Sequence, residues 1–180
     1  MIRTITLALV AGLALTLIGP VAAEEGSDEA TYQAFQEKLS PTVVTVKFVM
    51  KIHLMARGQE RDFEQEHEIS GVVVSPDGLI VLSNSQMTVR PQAPGITVNA
   101  TPTDFKIILP DDDDETEHEA VLAATDANLG LAFVAFEDAS GVELSPVDFS
   151  TSTEARIGQK LHGVTRLSRG FDFAPVVSTH

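Results

Sequence analysis

The side chains of this 180-residue chain that could do chemistry are five histidines, one acidic run and a pair of serines, with no cysteine. The histidines are His53, His67, His118, His162 and His180. None lies in a His-Glu-x-x-His arrangement and no two are four residues apart, so the helical zinc-protease pattern is missing. Asp111, Asp112, Asp113, Asp114 and Glu115 form a run of hard oxygen donors, the type that calcium takes. The run lacks the spacing and internal glycine of an EF-hand loop, and acidic runs usually serve as solvated loop faces, so it stands as a cation candidate only. Ser83 and Ser85 follow an apolar stretch, but no base stands beside them in sequence. Without cysteine, thiolate catalysis and thiolate-bound zinc are excluded. Glycine-rich phosphate loops, nucleophile elbows and dinucleotide fingerprints are absent, and no cofactor is expected.

The elements that must position these residues begin after a targeting segment. Arg3, the apolar run Ile5 to Ile18 and the small residues Val21-Ala22-Ala23 read as a signal peptide over 1–23, cleaved before Glu24. The run is short for a membrane span and is interrupted by Gly12, Gly19 and Pro20. An exported chain is therefore expected, periplasmic or secreted, with no stable membrane insertion after cleavage. Without Arg3, 11 basic residues face 26 acidic ones, a net charge of −15 that disfavours nucleic acid and anionic lipid as partners. A peptide or protein partner remains, and nothing in the sequence fixes the oligomeric state. An exported domain with no disulfide must be held by its core alone.

From Glu24 to Glu29 the chain reads as a flexible leader, and Tyr32, Phe35 and Leu39 at helical spacing predict one short helix over 31–39, stopped at Ser40-Pro41. Beyond Pro41 the pattern turns to β. Thr42 to Lys51 alternates Val44, Val46 and Phe48 with Thr45 and Lys47. Residues 56–66 read as a polar loop or ragged hairpin end. Two strands follow, about Glu68 to Val74 and Leu79 to Leu82, each a nearly continuous apolar run expected to be packed on both faces. Ser75-Pro76-Asp77-Gly78 joins them, with proline presetting φ and glycine free to take φ > 0. Residues 88–103, with three prolines, read as an extended loop holding a short strand at Ile96 to Asn99. Further strands are predicted at Phe105 to Leu109, His118 to Ala124, Leu131 to Phe136, Ile157 to Val164 and Ala174 to Ser178. Short strands at this spacing predict an all-β protein built on a small antiparallel β-barrel.

Several of these pieces stand in an order that resembles trypsin-like serine proteases of the Deg/HtrA kind, over roughly residues 40 to 178. Ser40-Pro41-Thr42-Val43-Val44 is similar to the family's opening strand, and Gly71 to Leu82 to its Ser-Gly-Val hairpin segment. Gly130-Leu131-Ala132-Phe133-Val134 resembles the Asp-Leu-Ala-Leu-Leu strand that carries the catalytic aspartate, and Ile157-Gly158-Gln159-Lys160-Leu161 resembles the start of the second barrel. The resemblance implies a trypsin-like N-terminal barrel over 41–150, after a leader and helix at 24–40, with an incomplete second barrel over 151–180. It also implies where the triad should stand, and there the chain departs from the family. The histidine position is Ser85, the aspartate position is Gly130, and no Gly-Asn-Ser-Gly-Gly loop occurs. A triad needs a nucleophile, a base and a carboxylate that orients the base. A hydroxyl is no base near neutral pH, and glycine offers no side chain.

Three readings follow. The first is an exported, non-catalytic protein on the protease fold, a peptide- or protein-interaction module or relic. The second is a truncated fragment of a longer serine-protease-like protein, with an apolar edge exposed around Val176 and Val177. The third is a small exported β-barrel that binds a cation or other ligand.

Overall fold

A computed structural model describes residues 25–89, 95–110, 112, 116–172 and 174–180. Among these residues the chain runs through one α-helix, α1 (Glu25–Leu39), and eight strands: β1 (Val43–Ala56), β2 (Gln59–Val73), β3 (Leu79–Ser83), β4 (Ile96–Ile108), β5 (His118–Asp126), β6 (Leu131–Phe136), β7 (His162–Arg166) and β8 (Pro175–Thr179). The first six close an antiparallel barrel in the order β1-β2-β3-β6-β5-β4, and β7 and β8 form a separate hairpin. The expected all-β barrel with one short helix is present, and the second sheet has two strands. The segment read as a signal peptide lies outside the described residues. No described helix is long and apolar enough to cross a membrane.

Strand β1 holds the barrel together because its alternation is unbroken. Val44, Val46, Phe48 and Met50 point inward and are at most 1% exposed. They meet Ile69 and Val73 of β2, Ile80 and Leu82 of β3, Ile107 of β4, and Ala132 and Val134 of β6 in one core, where the rings of Phe48 and Phe105 stack at 5.5 Å. The turn between β2 and β3 forms as its residues dictate. Gly78 takes φ +89° and its N–H donates to the Ser75 carbonyl at 3.1 Å. The two strands it joins are not packed on both faces: Gly71, Val73, Ile80 and Leu82 are buried, and the residues between them are only half-buried.

Four expectations need correction. The helix begins at Glu25 and takes in most of the stretch read as a leader. Residues 59–66 are strand and not loop. Arg57 (φ +53°) and Gly58 (φ +78°) make a two-residue turn whose twist suits a hairpin, and every pair from Ala56↔Gln59 inward is in register. This part of β2 is exposed throughout, so its sequence carries no apolar alternation to read. Residues 96–103 belong to β4, although Pro102 lies among them. That half of β4 pairs with β1 alone, since β5 joins only at Phe105, and a strand with a free edge tolerates proline. An extra β4 residue near Asp104 (φ +54°) shifts the register between Lys47 and Val49 as a bulge. Strand β7, finally, starts at His162, and residues 157–161 are exposed and outside it.

The β7–β8 hairpin has no buried residue of its own and is held from outside. The Arg166 guanidinium donates to the carbonyls of Val43 and Ser40, the latter at 2.9 Å. Ser70 Oγ receives the Arg166 N–H at 3.1 Å and meets Thr165 Oγ1 at 2.9 Å. On the other side, the His162 ring sits 5.4 Å from Tyr32 and 5.3 Å from Phe35 of α1. The His162 ring is thus half-buried against the chain's own helix.

The tightest point of the barrel is Gly71. A Cβ there would lie 2.5 Å from Ile80 Cγ2 and 3.2 Å from Val46 Cγ2, and both of those residues are fully buried. Gly71→Ala should lower stability by about 1–3 kcal/mol through overpacking. The measurement is the denaturant midpoint, which should fall without a change in m value. An unchanged midpoint would show slack where none is visible.

Candidate functional site

The two positions matched to the triad base and acid lie at the same end of the barrel, bridged through Asn84, the residue before Ser85. Strands β3 and β6 pair through Ser83↔Leu131, and the next residues on each, Asn84 and Gly130, are joined by an N–H···O bond of 3.0 Å from Asn84 to Gly130. Ser85 is exposed in a short 3₁₀ turn (Asn84–Gln86), anchored beneath by buried Met87. Ser83 Oγ caps this turn, accepting from the Ser85 N–H at 3.3 Å and donating to Ser85 Oγ at 3.0 Å. The two hydroxyls thus serve each other and the turn.

The acid side of the site is empty of side chain. Gly130 sits at φ +70°, and a Cβ built on it would meet only Asn84 Oδ1, at 3.9 Å. There is room for a side chain, but the backbone is left-handed and strained for any residue with a Cβ. The nearest carboxylate in the turn, Asp126, is committed to structure: its Oδ1 accepts from the N–H groups of Asn128 and Leu129 at 2.9 and 3.0 Å. Asn84 Nδ2 reaches the Asp126 carbonyl at 3.5 Å, so the same few residues tie the ends of β3 and β5 together.

One histidine comes close to this end, and sequence reasoning missed it. His67 on β2 lies flat on the Phe48 ring at 5.1 Å, and its Nδ1 is 3.4 Å from Gln86 Oε1, one residue beyond Ser85. Only the pairing of β2 with β1 and β3 brings residues 67 and 86 together, and nothing local signals it. Ser85 makes no hydrogen bond to a histidine among the described residues. The other histidines are scattered. His53 Nδ1 meets Asp62 Oδ1 at 2.6 Å across the β1–β2 ribbon, and that hydrogen bond holds its proton above the usual histidine range. His118 Nε2 meets Asp112 Oδ2 at 2.9 Å, and His180 Nε2 lies 3.0 Å from Ser178 Oγ.

Of the acidic run, Asp111, Asp113, Asp114 and Glu115 lie outside the described residues. Asp112 Oδ2 also accepts the Leu109 N–H at 3.1 Å, so that oxygen closes a loop as well as binding His118. Among the described residues no three metal-ligating side chains gather at one point.

The strongest electrostatic feature is a charged lattice on the outer wall. Lys47 is the cross-strand neighbour of Glu68 on one side and Lys106 on the other, and Lys106 is that of Glu119. Glu117 lies across the two lysines, paired with Lys47 Nζ and 3.2 Å from Lys106 Nζ, and so relieves their repulsion. Arg169, just beyond β7, completes it with Nη2 3.5 Å from Glu117 and its backbone N–H 3.2 Å from Glu68 Oε2. The hydrogen bond from Lys47, helped by Lys106, holds the Glu117 carboxyl below the usual range.

The same architecture occurs among solved structures. The crystal structure of Deg5 superposes with a TM-score of 0.53 over 87% of this chain at 20% sequence identity. The chain spans 63% of the length of that Deg5 chain. No family model matches the sequence, and no curated protein matches it. At this identity the likeness concerns the fold, which is the trypsin-like barrel fold that the sequence resemblance implied.

The depressed Glu117 carboxyl has a direct consequence for pH. A group ionised more readily when folded adds stability above its unfolded pKa and loses it as pH falls. Wild-type stability should therefore decline from about pH 5 toward pH 3, and Glu117→Gln should flatten that decline while lowering stability at pH 7. Parallel pH–stability curves for the two proteins would contradict the lattice described above.

Proposed function

We propose that this protein is an exported, non-catalytic member of the trypsin-like protease fold that acts as a peptide- or protein-interaction module. The single observation that carries the reading is the pair Ser85 and Gly130. These are the positions the Deg/HtrA resemblance matches to the triad base and acid. They lie at one end of the barrel, linked through the Asn84–Gly130 bond, and neither bears a group able to take a proton or orient one that does. The hydroxyls of Ser83 and Ser85 bond to each other, and the Asp126 carboxylate caps its own turn.

Export rests on Arg3, the apolar run to Ile18 and Val21-Ala22-Ala23, and places the protein in the periplasm or outside the cell. By the same reading the first barrel covers 41–150, and 151–180 begins a second one. The likeness to Deg5 supports the barrel and leaves chemistry and partners to experiment.

The test is hydrolysis of casein and of short peptides by protein recovered from the exported fraction, whose mature mass should begin at Glu24. We expect no cleavage above a buffer control, and none after Ser85→His is combined with Gly130→Asp. Cleavage that co-purifies with the protein through successive columns and is lost in Ser85→Ala would overturn the reading.

A further inference from the structure

The far end of the barrel carries a second, unrelated feature. His118 begins β5 and Asp126 ends it beside Asn84, so the two ends are roughly 25 Å apart along the strand. At the His118 end a cleft of about 540 Å³ opens between the end of β4, the start of β5 and the segment after β6. That volume is within the range of small-molecule sites. Leu109, Val142 and Leu144 form apolar walls and are themselves half-buried against the barrel core. A turn at Gly141 (φ +79°), closed by the Val142 N–H on the Ala139 carbonyl at 3.1 Å, holds the outer wall in place.

The polar side chains lining the cleft among the described residues are Asp112, Glu143, His118 and Ser145. His118 and Asp112 form one side, with the His118 ring fixed edge-on to Phe136 at 5.6 Å and its Nε2 on Asp112 Oδ2. Asp112 Oδ1 has no hydrogen-bond partner among the described residues, and Glu143, also lining the cleft, makes no ion pair among them. No lysine or arginine among the described residues lines the cleft. Two carboxylates against apolar walls suit a cation carried on an apolar body: the charge pairs with Asp112 and Glu143, and the body covers Leu109, Val142 and Leu144.

We propose that this cleft is a binding site for a small organic amine with an aromatic or branched apolar body. The site is independent of the triad positions and of the reading given for them, so each can fail without the other.

The experiment titrates the full chain with phenethylammonium, with 2-phenylethanol as the uncharged counterpart of equal shape, and with calcium, following backbone amide shifts by NMR. The expected result is saturable movement at Leu109, Val142 and Leu144, with the amine bound about tenfold more tightly than the alcohol. Glu143→Gln, an exposed change that leaves the loop bonds intact, should remove most of that tenfold preference. Asp112→Asn should remove it too, but it also alters the Leu109 and His118 contacts, so Glu143→Gln decides. Equal binding of amine and alcohol, an unchanged preference in Glu143→Gln, shifts confined to calcium, or no saturation by roughly 10 mM amine would each overturn the proposal.

Discussion

Closure of the barrel depends on one strand. β1 pairs with β2 along fourteen residues on one edge and with β4 on the other, so the first and last strands of the sheet order meet through it. Its inward residues, Val44, Val46, Phe48 and Met50, must all face one way, because a slip of one residue would turn the whole set outward. The bulge at Asp104 is how β4 meets this demand: one extra residue restores the register that β1 imposes. Pairing closed in this way leaves the barrel itself no free edge, and only the ribbon beyond it and the β7–β8 hairpin carry exposed strand backbone.

A scaffold fixed by its own core leaves its ends free to change. At one end Ser85 and Gly130 are placed by the pairing of β3 with β6 and by the Asn84 bridge. At the other end the cleft beside His118 is built from connecting segments, where new side chains cost the core little. Between the ends, the hairpin is attached by Arg166, Ser70 and the Glu117–Arg169 lattice, which are polar contacts on the outer wall. Leu167 and Val176 of this hairpin are each about a third exposed.

What could be read from the sequence followed burial. The inward face of β1, the Ser75–Gly78 turn and strands β3 and β6 were legible, because alternation and turn chemistry are local properties. The outer half of β2 was not, since residues 59–66 are solvated and their strand is dictated by the partner opposite. Pro102 hid β4 for a related reason: proline argues against a strand unless the free edge beside it is known. At the site, Ser85 and Gly130 were visible through the family resemblance, and their link through Asn84 only through the β3–β6 register. His67 near Gln86, and Glu143 in the same cleft as Asp112, are contacts between segments far apart in sequence, which no local pattern reports.

The central claim is that a protease fold persists here without an activated nucleophile. A serine hydroxyl is activated when a base takes its proton, and an activated serine displaces fluoride from a fluorophosphonate to form a stable phosphonate ester. Intact-mass spectrometry after exposure of the folded protein to such a probe measures this directly. The account predicts no adduct, the same outcome as for heat-denatured protein. A stoichiometric adduct on one serine, lost on denaturation, would contradict it.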